Sequence, residues 1–401
     1  MSLSDQIRGL GSRPCCWLSL ILLGAGPVEA GFQVRDLGVL VAGGSSGATG
    51  INSSGATSGT FIGATSMAVQ ATGGGTFGAI SVARLPGVTA SSAAAISDSG
   101  QVAGQYHDGL DGKTHAFVAS GRVATDLLGG DARFQGASSQ GVAINSAGIV
   151  AGNAQLRGGA QAVFTASAGG SATLITLPGG SQTGSAGGIN SQGTVVGSYI
   201  NSVGLSRVFL AMGGVATDVV PRNSAMGFGL NAYGVAINRD GAIAGYADFG
   251  GTSHAFFVSA TGTQVDIGTT GGFNTSRAAG LNNLGQVVGT LSTNGSGSHA
   301  FLWDGTAGLF DLNNLLDASA RSSWVLTVAT GINDQDQISG QGYFNGQLHG
   351  FALTRVSGSE VFFPAISVPE PPSAWLAVAA LGFVGGWARI RRGRTPGRAT
   401  A

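Results

Sequence analysis

The chain has little on which most chemistry depends. It has two cysteines in 401 residues, Cys15 and Cys16, both near the N-terminus. Charged residues make up 9% and aromatic residues 7%. Between residues 31 and 365 there is one lysine, Lys113, and one glutamate, Glu360. That stretch carries 12 basic and 16 acidic side chains, a net of −4. So sparse and mildly acidic a surface excludes nucleic acid as a partner, because that binding rests on Lys and Arg neutralising phosphates. A region without cysteine needs no disulfide and carries no nucleophilic thiol. Catalytic motifs are equally scarce. No Gly-x-Ser-x-Gly elbow stands with a partner His and Asp. Glycine runs such as Gly73-Gly74-Gly75 lack the Lys and helix of a phosphate loop. Paired carboxylates for sugar hydrolysis would have to come from aspartates that recur throughout the chain.

What the chain has is glycine, 72 residues, and a repeated phrase. Ile51-Asn52-Ser53-Ser54-Gly55 returns at Ile96, Ile144, Ile189, Ile237, Leu281 and Ile332. Six of the seven copies have Gly fifth; the last has Asp336. Each is followed by a short apolar run ending in Gly, as in Gln286-Val287-Val288-Gly289. Asn bonds its own backbone in turns and Gly accepts positive φ, so each phrase reads as a tight hairpin. Two further strands follow in each unit. One is built on His-Ala-Phe, at His115, His254, His299 and His349, with variants around Ala162 and Arg207. In the first unit its counterpart is expected at Thr76–Ile80. The other is an Asp-apolar step at Asp126, Asp218, Asp266 and Asp311.

Four short strands per unit of about 45–50 residues describe a β-propeller blade. Seven units give an all-β, seven-bladed propeller. The last unit lacks its Asp-Leu strand, and Val34-Arg35-Asp36-Leu37-Gly38 stands alone before the first turn. An N-terminal strand that completes the last blade closes the ring and removes its free edges. The repeats Ile-Asn-x-x-Gly-x-Val-Val-Gly and His-Ala-Phe-Leu-Trp resemble the extracellular HAF-repeat family over roughly residues 34 to 355. The resemblance implies an exported repeat protein and no reaction.

The ends carry an address. Residues 1–30 read as a signal peptide, with Arg8 and Arg13, an apolar Trp17–Leu23, and cleavage between Ala30 and Gly31. The propeller then occupies 31–357 and a linker 358–372. Pro369, Glu370 and Pro371 precede an apolar stretch, 373–388, expected to cross the membrane as a helix. A basic tail, 389–401, holds Arg389, Arg391, Arg392 and Arg394. Sixteen residues rise about 24 Å, short for a core of about 30 Å, and terminal arginines snorkel. Arginines there favour a cytoplasmic C-terminus. This order resembles the PEP-CTERM sorting signal of Gram-negative bacteria. It implies an exosortase-type processing enzyme as partner, transient residence in the inner membrane, and release to the outer surface or extracellular matrix, alongside exopolysaccharide.

The sequence therefore points to a non-enzymatic, monomeric surface or matrix protein, structural or exopolysaccharide-binding, without cofactor. A secreted propeller glycosidase or lyase is the alternative. The repeated histidines lie at equivalent places of different blades, too far apart to ligate one metal. Each is expected to bond backbone within its own blade. Tyr106, His107 and Asp108 open the densest polar segment, read as a ligand-contact loop with Tyr106 as a stacking face. Asp334 and Asp336 alternate as in a Ca²⁺ loop, but the glycine and downstream Glu of such a loop are missing.

Overall fold

A computed structural model describes residues 31–156, 159–219, 228–293 and 297–356, all within one compact unit ending at Ser359. They form seven antiparallel four-stranded sheets, each strand pairing with its sequence neighbour. The exception is the expected one. Phe32–Asp36 pairs with Gln347–Arg355 as the outer strand of blade 7, with Asp36 opposite Phe351. The fold is an all-β, seven-bladed propeller, with one short α-helix among the described residues, Ala318–Ser323, between blades 6 and 7. No helix among the described residues is long and apolar enough to cross a membrane. The signal peptide, the Pro-Glu-Pro motif, the apolar segment 373–388 and the arginine tail lie outside the described residues.

The inner strands are Ser45–Ile51, Val88–Ile96, Ser139–Ile144, Gly184–Ile189, Phe228–Ile237, Thr275–Leu281 and Trp324–Ile332. Each touches the inner strands of both neighbouring blades, which closes the circle. Each also contains a register shift near its middle, such as Ala278/Gly280 and Ala48/Gly50. A bulge bends and twists a strand where it lines a tight axis.

The second strand of every blade has a glycine because an aromatic ring lies over it. Gly289 pairs with Phe301, Gly104 with Phe117 and Gly340 with Phe351. A Cβ at Gly289 would come 2.8 Å from the Phe301 ring and 2.0 Å from the Arg277 carbonyl. Six phenylalanines, 117, 164, 209, 256, 301 and 351, are fully buried in this way.

Blade 1 departs from the expectation. Its third strand is Ser66–Ala71, not the region of Thr76–Ile80, and Val69 stands opposite Gly59. Phe77, from the connection after that strand, supplies the ring instead: a Cβ at Gly59 would meet it at 2.5 Å. The repeated Asp also differs. It ends the outer strand at Asp126, Asp218 and Asp311 and lies two residues from its end at Asp266, and Oδ1 accepts the amide two residues on, as Asp311 does from Asn313 at 2.9 Å. The apolar residue next to it goes into the core: Leu37 and Leu312 are fully buried.

Candidate ligand-binding face

The channel has two mouths of different character. At one mouth the seven repeated turns, six of them with Asn second, converge around a cavity of about 380 Å³. In each Asn turn the side-chain oxygen accepts its own turn's amides, as Asn52 does from Ser54 at 3.1 Å and Ala56 at 2.9 Å. The side-chain nitrogen reaches the carbonyl of the next blade's turn. Six such bonds run Asn52→Ser97, Asn145→Asn190, Asn190→Asn238, Asn238→Asn282, Asn282→Asn333 and Asn333→Asn52, at 2.9–3.2 Å. The turn phrase thus builds a belt around the axis, a structural use for every copy. Blade 2 has Ser97 there, which is too short to reach Asn145. Ser97→Asn is expected to supply the missing bond and raise stability by about 0.5–1.5 kcal/mol. Denaturant unfolding reads this directly, and a lower midpoint would contradict it.

Exposed residues beside this belt also bond one another. Asp98 accepts the Ser53 amide at 2.9 Å, and Asp334 accepts the Asn283 amide and side chain, both at 2.8 Å. Asp336, where the turn glycine is lost, adopts φ +57° and pairs with Arg355 at 2.8 Å.

The repeated histidines bond carboxylates, not the backbone. His254 Nδ1 lies 3.1 Å from Asp266, His299 Nδ1 2.6 Å from Asp311, and His349 Nδ1 2.9 Å from Asp36. The two repeat signatures, His-Ala-Phe and Asp-Leu, are therefore partners, and the last pair ties the two ends of the ring together. Blade 2 differs: His115 Nε2 turns to Asp111 at 2.9 Å, and Asp126 accepts from Tyr106 Oη at 3.0 Å.

That last bond decides the fate of the polar segment. Tyr106 is 1% exposed, and its ring stacks on His115 at 5.3 Å. Burial, then Asp126, pushes the phenol well above its usual range. Tyr106 is core and offers no stacking face to solvent. Tyr106, His107 and Asp108 end a strand, Val102–Asp108, rather than forming a loop. Only His107 of the three is exposed. Asp108, Asp111 and His115 place ligand atoms within 4.8 Å of one another. Asp108 accepts the Leu110 amide at 2.7 Å and Asp111 the Lys113 amide at 2.8 Å, which closes the turn.

The opposite mouth receives the starts of the inner strands and the ends of the second strands. The residue just after each second-strand glycine is partly exposed there: Thr60, Gln105, Asn153, Ser198, Tyr246, Thr290 and Gln341. Their partners across the inner strand are Gly47, Ser92, Gln140, Ser185, Tyr233, Arg277 and Val328. Strand parity makes these neighbours of the packed glycine point away from the core. Whereas the Asn mouth repeats one residue, this mouth differs from blade to blade.

Two cavities open here and share Gln161, Gly184 and Ser185. One, about 450 Å³, is lined by Gln105, Gln140, Asn153 and Gln155. The other, about 460 Å³, is lined by Ser198, Tyr199, Tyr233 and Tyr246. Asn153 donates to Ser185 Oγ at 3.2 Å and accepts the Ala186 amide at 2.8 Å, fixing one wall. Tyr233 and Tyr246 stack at 4.8 Å and 21°, and the Arg277 guanidinium lies 4.8 Å above the Tyr246 ring. Burial raises the Tyr246 phenol above its usual range, opposed by Arg277, so it stays a neutral hydrogen-bond donor. The polar groups lining both cavities are amide, hydroxyl, phenol and backbone, without carboxylate or imidazole among the described residues; Val142, Ile200 and Val235 add apolar surface to the second.

No protein-family model matches the chain, and no curated protein sequence matches it. Solved structures similar to it include TolB from Acinetobacter baumannii, at 12% identity and TM-score 0.43, covering 63% of each chain. The chain thus spans less than two thirds of TolB. Virginiamycin B lyase from Staphylococcus aureus matches at 12% identity and TM-score 0.47, covering 81% of this chain and 100% of the lyase. A puromycin-hydrolysing peptidase from Mycobacterium tuberculosis matches at 11% and 0.47, covering 79% of this chain and 51% of the peptidase. At these identities the likeness is one of fold.

Proposed function

We propose that the chain is an exported, non-enzymatic propeller that binds exopolysaccharide through the variable mouth of its ring. An exosortase-type enzyme processes it near Pro369-Glu370-Pro371, after transient anchoring in the inner membrane by residues 373–388. It works at the outer surface or in the extracellular matrix of a Gram-negative bacterium, as a monomer. The address rests on the resemblance of the chain ends. The binding role rests on one observation: the mouth that varies between blades collects amides, hydroxyls and stacked tyrosines. Such groups match a polyhydroxylated chain, donating and accepting along it while apolar ring faces cover its C–H surfaces. Four neighbouring blades contribute to the two adjoining cavities, so the surface suits an extended polymer better than a single small molecule.

The ring closes within residues 32–355, so residues 31–365 are a complete unit for a test. Mixed with the host's own exopolysaccharide, this protein is expected to bind while the polymer keeps its length, monitored by light scattering over the same incubation. Shortening of the polymer would replace the reading with the enzymatic one, a glycosidase or lyase. Absence of both effects would remove polysaccharide as the partner.

A further inference from the structure

The variable mouth carries little charge: Arg277 lies where a ligand would meet it, and Asp248, two residues on from Tyr246, accepts from the Asn231 side chain at 3.0 Å. Of the cross-strand pairs that ring this mouth, only Arg277 brings a charged side chain. Several other arginines are occupied: Arg133 by Asp131, Arg239 by Asp240, Arg355 by Asp336, and Arg321 by the Leu316 and Asn314 carbonyls. Arg277 is exposed and has no carboxylate partner among the described residues; its guanidinium lies over the face of Tyr246. Stacking holds the planar fork in place while leaving its N–H donors free. Such a fork pairs with a carboxylate through two parallel hydrogen bonds.

Tyr246 in turn stacks on Tyr233, and both line the cavity that runs toward Ser185 and Ser198. Aromatic faces, a hydroxyl-lined wall and a free guanidinium therefore follow one another across blades 4, 5 and 6. We propose that Tyr233, Tyr246 and Arg277 form a subsite for an acidic sugar, a uronate unit whose ring lies against the tyrosines and whose carboxylate pairs with Arg277. This rests on the polysaccharide reading above and gives it a chemical class. The low charge of the remaining mouth sharpens the choice. A neutral polymer would need no guanidinium there, and a densely sulfated or phosphorylated one would need more than one.

Polygalacturonate and its carboxyl-reduced, neutral counterpart are the probes, used with residues 31–365. The unmodified protein is expected to bind the acidic polymer about tenfold more tightly, a preference that fades with salt. Arg277→Gln should erase that preference and leave binding of the neutral polymer unchanged. Tyr233→Ala with Tyr246→Ala should weaken both. Arg277 is exposed, so Arg277→Gln is expected to fold, which a thermal melt confirms. If Arg277→Gln leaves the preference intact, or weakens both polymers equally as a mere prop for Tyr246 would, the acidic-sugar inference falls. Failure to bind polygalacturonate by a protein that still binds the host polymer removes the inference alone. Failure to bind any of the three polymers removes the polysaccharide reading with it.

Discussion

A chain lacking residues 32–36 is expected to lose its folded monomer and to aggregate. That outer strand pairs with blade 7 along its whole length, from Phe32 opposite Arg355 to Asp36 opposite Phe351. Phe32 is 3% exposed and belongs to the same apolar cluster as Leu316, Leu326 and Leu353. Truncating it alone, Phe32→Ala, should cost about 3–5 kcal/mol. The deletion adds the loss of the ladder bonds and of the Asp36–His349 pair, 313 residues apart in the chain. Those losses together are comparable with the whole stability of a typical domain, about 5–15 kcal/mol. They also leave His349-Gly350-Phe351 as an open edge, a template for another chain. Size-exclusion chromatography and a thermal melt decide the matter. A monomeric deletion variant melting within a few degrees of the parent would show that the ring does not need its closing strand.

The second large effect is expected where the repeat looks most degenerate. Phe77→Ala should destabilise the protein about as much as Phe301→Ala, each by about 3–5 kcal/mol. Phe301 occupies the repeat position and is fully buried; Phe77 does not occupy it, yet is 8% exposed. Phe77 fills the space over Gly59 that Val69 leaves, and it also lies against Gly350 of blade 7, where a Cβ would come within 2.7 Å of its ring. It therefore packs one blade and joins it to the next. Val69→Phe added to Phe77→Ala should recover part of the loss, because it restores the ring at the register place used by the other blades. Equilibrium unfolding in urea measures all three. A cost below about 1 kcal/mol for Phe77→Ala would mean that blade 1 packs some other way.

These two cases show what the sequence made legible. The closing strand could be read because its Asp36-Leu37 step matches Asp311-Leu312 and the last unit visibly lacks one. The stand-in Phe77 could not, because a ring that enters the same space from a different backbone position leaves no periodic trace. The His–Asp pairing was half visible: His254 and Asp266, like His299 and Asp311, are 12 residues apart, and a constant spacing between two polar residues on adjacent strands is a contact signal. Blade 2 breaks that spacing, and there the His finds Asp111 instead.

The site was harder to see for a reason of parity. Attention to polar density favours Tyr106–Lys113, yet Tyr106 and Asp108 take the inward parity of their strand, and adjacent Gln105 takes the outward one. Side chains alternate faces, so a reading one residue off moves a residue from core to surface. The usable signal was blade-to-blade variation at the residue after each second-strand glycine, from Thr60 through Gln341. The serines of Gly44-Ser45-Ser46-Gly47 likewise give no sign in the sequence of the place they take. They begin the inner strand of blade 1, where Ser46 Oγ accepts the Gly350 amide at 2.9 Å and ties the first blade to the last.

The central claim is that the variable mouth, not the Asn belt, is the working face. Amide hydrogen exchange of residues 31–365, with and without host exopolysaccharide, tests it most directly. Protection is expected to rise around Ser185–Gly187, Tyr233–Val235 and Tyr246, with the Asn turns unchanged. Protection confined to the turns at Asn52, Asn190 and Asn282, or to the outer strands, would contradict it.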